Sequence, residues 1–149
     1  MSTIWVDADA CPVAAREVLF KASQRTKVPL ILVANHFIRT PPPNHIQCKV
    51  VASGFDVADD YIAQQCQATD LVVTNDIPLA AEVLAKGAGA INNRGEEYSK
   101  ETIGGRLNIR DFMDTMRASG EHGGGQKAYS ARDKQGFANA LDRWLATAT

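Results

Sequence analysis

Between Val50 and Ala85 the chain has no lysine, arginine or histidine, although Asp56, Asp59, Asp60, Asp70, Asp76 and Glu82 all fall there. Nothing within that stretch offsets its acids, so it is not the mixed-charge solvated face that soluble helices usually present. No apolar run approaches the roughly 20 residues that cross a bilayer. The N-terminus also lacks the basic region and apolar core of a secretory leader, and a cytoplasmic protein without membrane partners is expected. Cys11, Cys48 and Cys66 are odd in number and form no CxxC pair, which argues against a zinc knuckle and for reduced thiols. The glycines around Gly123 lack the spacing and the preceding strand of a Walker loop, and no internal repeat is present.

What is there fits one domain over residues 1–149, because 45% hydrophobic and 22% charged residues supply a real core and an ordinary soluble surface. The chain is organised around Ile4-Trp5-Val6-Asp7-Ala8-Asp9-Ala10-Cys11-Pro12, an apolar run that stops at two aspartates and passes through a proline into a helix. That helix is expected from about Pro12 to Arg25, and Pro29 to Ala34 is then a wholly apolar strand. Strand, helix and strand with both strands apolar throughout is the pattern of a parallel sheet covered on both faces. Asn35 to His45, with three consecutive prolines, is a stiff loop. A weaker strand follows at 46–52, a helix at 57–67, a strand at 70–74, a helix to Leu84 and a short strand at 89–91. Further helices are expected at 99–117 and 134–146, with a glycine-rich loop at 120–132. The fold class is a three-layer α/β/α sandwich with a mainly parallel central sheet of four to five strands.

In an open parallel sheet ligands sit beyond the carboxyl ends of the strands. Those ends carry Asp7 and Asp9, then Asn35, Ser53, Thr74-Asn75-Asp76 and Asn92-Asn93-Arg94. Asp7 and Asp9, at i and i+2, point the same way on an extended backbone and repel unless a cation or proton lies between them. Asp56 and Asp59 have the spacing of a helix cap and its third-position partner, and Asp60 shares a helix face with Asp56. Asp76 stands before a helix as Asp7 does, where either could also serve as a cap. Carboxylates converging without a resident base suit a hard cation, magnesium or manganese, with Asp7, Asp9, Asp60 and Asp76 as ligands. Asp7, Asp59, Asp60 and Asp76 are the candidate catalytic acids, serving phosphoryl chemistry. Thr74, Asn75 and Asn92 would add neutral substrate contacts, and Arg94, Lys127 and Arg132 basic ones. Cys11, at a helix start, is placed where the dipole favours a thiolate. The excess of Lys and Arg after residue 85 suits a polyanionic partner.

The segments IWVDADACPVAAREVL, GFDVADDYIAQQC, TDLVVTNDIPLA, KGAGAINNRGEEYS and SARDKQGFANALDRWL resemble the bacterial YaiI/YqxD family across essentially the whole chain. That family is grouped with the PIN-like superfamily, whose members commonly are metal-dependent ribonucleases. The resemblance implies a PIN-like fold, a nucleic-acid partner, RNA, and hydrolysis of its phosphodiesters. It puts the superfamily's first acid on Asp7, its helix acid on Asp59 or Asp60, and its TxD acid on Asp76. Where many members have a later acid after the next strand, this chain has Asn92-Asn93. Two other readings stand beside it. The DxD after an apolar run resembles the first motif of haloacid dehalogenase phosphatases, with Asp7 as nucleophile. A non-catalytic domain could instead bind nucleic acid through the basic C-terminal part.

Overall fold

The structure of the chain, a computed structural model, describes residues 2–54, 56–104 and 128–148. Five strands, β1 (Ile4–Asp7), β2 (Leu30–Ala34), β3 (Ile46–Val50), β4 (Leu71–Val73) and β5 (Gly89–Ile91), form one sheet in the order β3-β2-β1-β4-β5. Every pairing is parallel, with Asp7 beside Val33 and Val6 beside Val73. The strand ends are therefore level with one another.

Side-chain alternation along the strands builds two cores. Ile4, Val6, Leu30, Leu32, Leu71 and Val73 face helices α1 (Val13–Thr26) and α4 (Ala131–Ala148), which supply Leu19, Phe137 and Leu141. Trp5, Val33 and Val72 face α2 (Val57–Gln65) and α3 (Ile77–Ala85), which supply Ile62, Leu79 and Val83. This is the expected three-layer α/β/α sandwich. Element boundaries move by a few residues, most at α4, which starts at Ala131 rather than near residue 134. The reason is a capping box: the Asp133 amide donates to Ser130 Oγ at 3.2 Å and the Ser130 amide donates to Asp133 Oδ2 at 2.9 Å. Of the helix expected at 99–117, residues 100–104 are helical, and 105–117 lie outside the described residues, as does most of the glycine-rich loop.

A close approach holds the far end of the chain against the strand ends. After β5 the chain turns back at Gly95, whose φ of +90° favours glycine, and a Cβ there would stand 2.2 Å from the Gly136 carbonyl oxygen in α4. The capping expected of Asp56, by contrast, is not used. Its φ of 65° is left-handed and its side chain makes no cap hydrogen bond, because a capping side chain reaches the first-turn amides from an extended backbone.

Candidate active site

The chain moves outward from β1 to β2 and β3, then returns across β1 to place β4 and β5 on its other side, so strand order reverses between β1 and β4. Such a reversal opens a crevice at the carboxyl ends of the two strands. Asp7 ends β1 there and Asp76 follows β4 after Thr74 and Asn75. Thr74 is buried, and its hydroxyl does two jobs: it donates to Asp7 Oδ2 at 3.1 Å and accepts from the Asp76 amide at 2.9 Å. One side chain thus sets the positions of both acids. Asp76 also caps α3, its Oδ1 accepting from the Leu79 amide at 2.9 Å, with Pro78 in the first turn where no amide proton is needed.

Asp59 arrives from the first turn of α2 and completes the group. Burial pushes its carboxyl up to about 7, helped by the charges of Asp76 and Asp7, a carboxyl–carboxyl hydrogen bond to Asp76, and Asp56. Burial also raises Asp7, against the Thr74 hydrogen bond that lowers it, with Asp76 and Asp9 adding to the rise. Three carboxyls from three elements therefore act on one another, and the groups acting on Asp7 include none that is basic. Such an arrangement stabilises a proton or a cation between them.

Several sequence-based expectations change. Asp9 acts on Asp7 through its charge, but its carboxylate is bound at the end of β2. Ala8–Ala10 is a 3-10 helix rather than a continuation of the strand, so side chains turn by about 120° per residue instead of alternating. Its carboxylate accepts from the Asn35 amide at 3.0 Å and lies 3.2 Å from His36 Nδ1, giving that loop histidine a partner. Asp60 is exposed; one residue beyond Asp59, it is rotated by about 100° around α2. Cys11 is buried and its thiol is pushed up to about 12, because burial outweighs the help of Arg16 and Asp7 opposes ionisation. A favoured thiolate is not what the structure gives.

The polar residues after β4 and β5 brace the crevice. Asn75 Oδ1 accepts from the Asn93 amide at 3.1 Å, and Asn92 Oδ1 accepts from the amides of Arg94 and Glu96 at 3.0 and 2.9 Å. Arg94 pairs with Asp133 and lies over the Tyr129 ring at 5.8 Å. Arg132 is exposed in the first turn of α4, and Lys127 lies outside the described residues. Sequence reasoning set Asn93 at a strand end without giving it a role, and missed Tyr129. Asn93 is buried and donates to the Ala10 carbonyl at 3.0 Å, while Tyr129 OH donates to the Asn93 carbonyl at 2.7 Å. Together they tie α4 and the β5 loop to the turn after Asp7. The Ser130/Asp133 box was the available signal that this segment is held in place.

The donor set fits a hard cation in type, since every converging group is a carboxylate or hydroxyl oxygen. Among the described residues no three His, Cys, Asp or Glu side chains enclose a metal ion. The four-ligand cage of Asp7, Asp9, Asp60 and Asp76 is therefore not assembled. Direct ligation by one or two carboxylates, with water and substrate oxygens completing the shell, is nevertheless the usual way magnesium is held.

Fold and site define a parallel α/β sandwich with an acidic crevice at its strand-order reversal. The family model described as "Uncharacterized BCR, YaiI/YqxD family" matches residues 5–147, and the chain belongs to that family. It is also 64% identical, over 143 residues, to a protein of Pseudoalteromonas atlantica named UPF0178 protein, covering 96% of this chain and 97% of that one. No solved structure matches. Among the described residues no helix is long and apolar enough to cross a membrane.

Proposed function

We propose that the chain hydrolyses phosphodiester bonds in RNA with the help of magnesium or manganese at the Asp7–Asp59–Asp76 crevice. The observation that carries the reading is the mutual approach of these three carboxyls without a base among them, with Asp59 hydrogen-bonded to Asp76 and pushed up to about 7. Their repulsion costs stability, which a purely structural cluster would have no reason to keep. Asp7 and Asp76 would hold the ion, and the ion when bound would neutralise the phosphate and lower the pKa of a water. Thr74 orients the Asp7 carboxylate and holds the backbone of Asp76, whose own carboxylate is oriented by the Leu79 amide. Asp59, on the helix side, accepts the proton of the attacking water as it forms a bond to phosphorus and the ester oxygen departs. The resemblance to PIN-like ribonucleases supports RNA as the substrate.

The test is a cleavage assay on single-stranded and structured RNA, with magnesium or manganese against EDTA. Wild type is compared with Asp7→Asn and Asp76→Asn, each checked for fold by circular dichroism. Metal-dependent cleavage lost in both variants is the expected result. Cleavage retained in both would sink the reading.

A further inference from the structure

The stretch from Val18 to Phe55 contains no aspartate or glutamate, the converse of the base-free stretch that follows it. The topology turns this sequence asymmetry into a spatial one. The acid-free stretch forms β2, β3 and their connecting loop, on one side of β1, while the base-free stretch forms α2, β4 and α3. Asp7 stands at the seam.

The carboxyl edge of the sheet, on the acid-free side and next to it at the start of α1, exposes large apolar side chains. Among the described residues the exposed large hydrophobic side chains are Val13, Phe37 and Val50, at 59%, 72% and 47% exposure. Val13 follows the turn after β1, Phe37 the end of β2, and Val50 ends β3. All three lie at the edge that carries Asp7. Phe37 is held out by its neighbours. Asp9 grips the Asn35 amide on one side. On the other, Ile38 is buried with its amide donating to Cys48 Sγ at 3.4 Å. Exposed Arg39 and Lys49 flank the apolar residues, and neither has a carboxylate partner among the described residues, although Lys49 lies 5.7 Å from the Tyr61 ring.

We propose that a single strand of nucleic acid crosses the carboxyl ends of β1, β2 and β3, with one base stacked on Phe37 and its phosphates drawn to Arg39 and Lys49. This rests on the phosphodiesterase reading of the adjoining carboxylates and names the form of the substrate. Neighbouring strands are about 4.8 Å apart, so the lip spans about 10 Å from β1 to β3, the rise of about three stacked bases. An exposed ring offers its face only to an unpaired base, and the cations Arg39 and Lys49 suit the backbone, while the Asp9 carboxylate at this edge is taken up by the Asn35 amide and His36. A stable protein partner would need about 800 Å² of contact, which three separated side chains with cations beside them do not offer.

The test measures fluorescence anisotropy of a short labelled RNA, single-stranded or annealed to its complement, in EDTA so that nothing is cut. Wild type, Phe37→Ala and Phe37→Trp are compared. Single-strand affinity should fall about tenfold in Phe37→Ala, the loss of one base stack, and return in Phe37→Trp. Duplex binding should change little. Equal affinity of wild type and Phe37→Ala for the single strand, a preference for duplex, or no binding of either RNA would overturn the proposal, the last pointing to a protein partner for this lip. The two readings fail separately. Phe37-dependent binding without metal-dependent cleavage leaves the platform and removes the nuclease. Cleavage with KM unchanged in Phe37→Ala leaves the nuclease and removes the platform.

Discussion

The β1–β4 pair has aspartates at both of its ends, Asp70 before β4 and Asp7 and Asp76 beyond the carboxyl ends, and the two ends use them differently. At the amino end Asp70 is buried and saturated with donors. Its Oδ1 accepts from the Thr3 amide at 2.9 Å, and its Oδ2 accepts from Trp5 Nε1 at 3.0 Å and from the Gln67 amide at 2.8 Å. At the carboxyl end Asp7, Asp59 and Asp76 face one another, and Asp7 and Asp59 are pushed upward by burial and by neighbouring acids. A buried carboxylate surrounded by N–H groups is a structural joint. Carboxyls surrounded by carboxyls cost stability and await a partner. The same residue type, a few residues apart along the same strands, thus separates architecture from chemistry.

The largest effect that would sharpen this contrast is on activity. Asp7→Asn should reduce metal-dependent RNA cleavage about a thousandfold, or about 4 kcal/mol of barrier, while the urea midpoint stays level or rises because a repulsive charge is gone. A variant that unfolds instead would move Asp7 to the structural side. Asp70→Ala should do the reverse. Three donors lose their acceptor, a cost of about 3 kcal/mol in urea unfolding, with kcat per folded molecule unchanged. Thr74→Val lies between the two. It removes the hydroxyl that joins Asp7 to the Asp76 amide, so it should cost about 1 kcal/mol and also lower kcat. If stability alone fell, Thr74 would belong with Asp70.

The architecture was legible because apolar strands alternating with amphipathic helices admit few arrangements, and Asp7 and Asp76 follow from their place at strand ends. What could not be read was direction. Asp9 depended on the backbone leaving the strand conformation at Ala8, which a DxD pattern does not disclose. Choosing Asp59 over Asp60 required the rotation of α2, and a nine-residue helix with weak apolar periodicity does not fix it. Asp70 read as one more acid in a base-free run, since its donors come from Thr3 and Trp5, far away in sequence. The roles of Asn93 and Tyr129 depend likewise on long-range contacts to the first turn. Phe37 was hidden inside a loop, where an aromatic carries no periodicity to show which way it faces.

The smallest effect is a pH dependence. Folding raises the Asp59 carboxyl from 3.8 to about 7, so between those values the folded protein holds a proton that the unfolded chain has released. Stability from this group is therefore fully present below pH 3.8 and is lost as pH rises through about 7. In EDTA the wild-type melting temperature should decline across that interval beyond what its other groups contribute. Asp59→Asn should flatten the decline, overtaking wild type near pH 8. Asp59 is only half-buried, so solvent screening keeps the difference small. Added magnesium should raise the wild-type melting temperature at pH 8 and leave Asp59→Asn less affected, because an ion takes over the role of the proton that Asp59 otherwise retains. Parallel melting curves for the two proteins in EDTA would mean that Asp59 does not feel Asp76 and Asp7, and the crevice would then be a pair of acids with Asp59 apart from it.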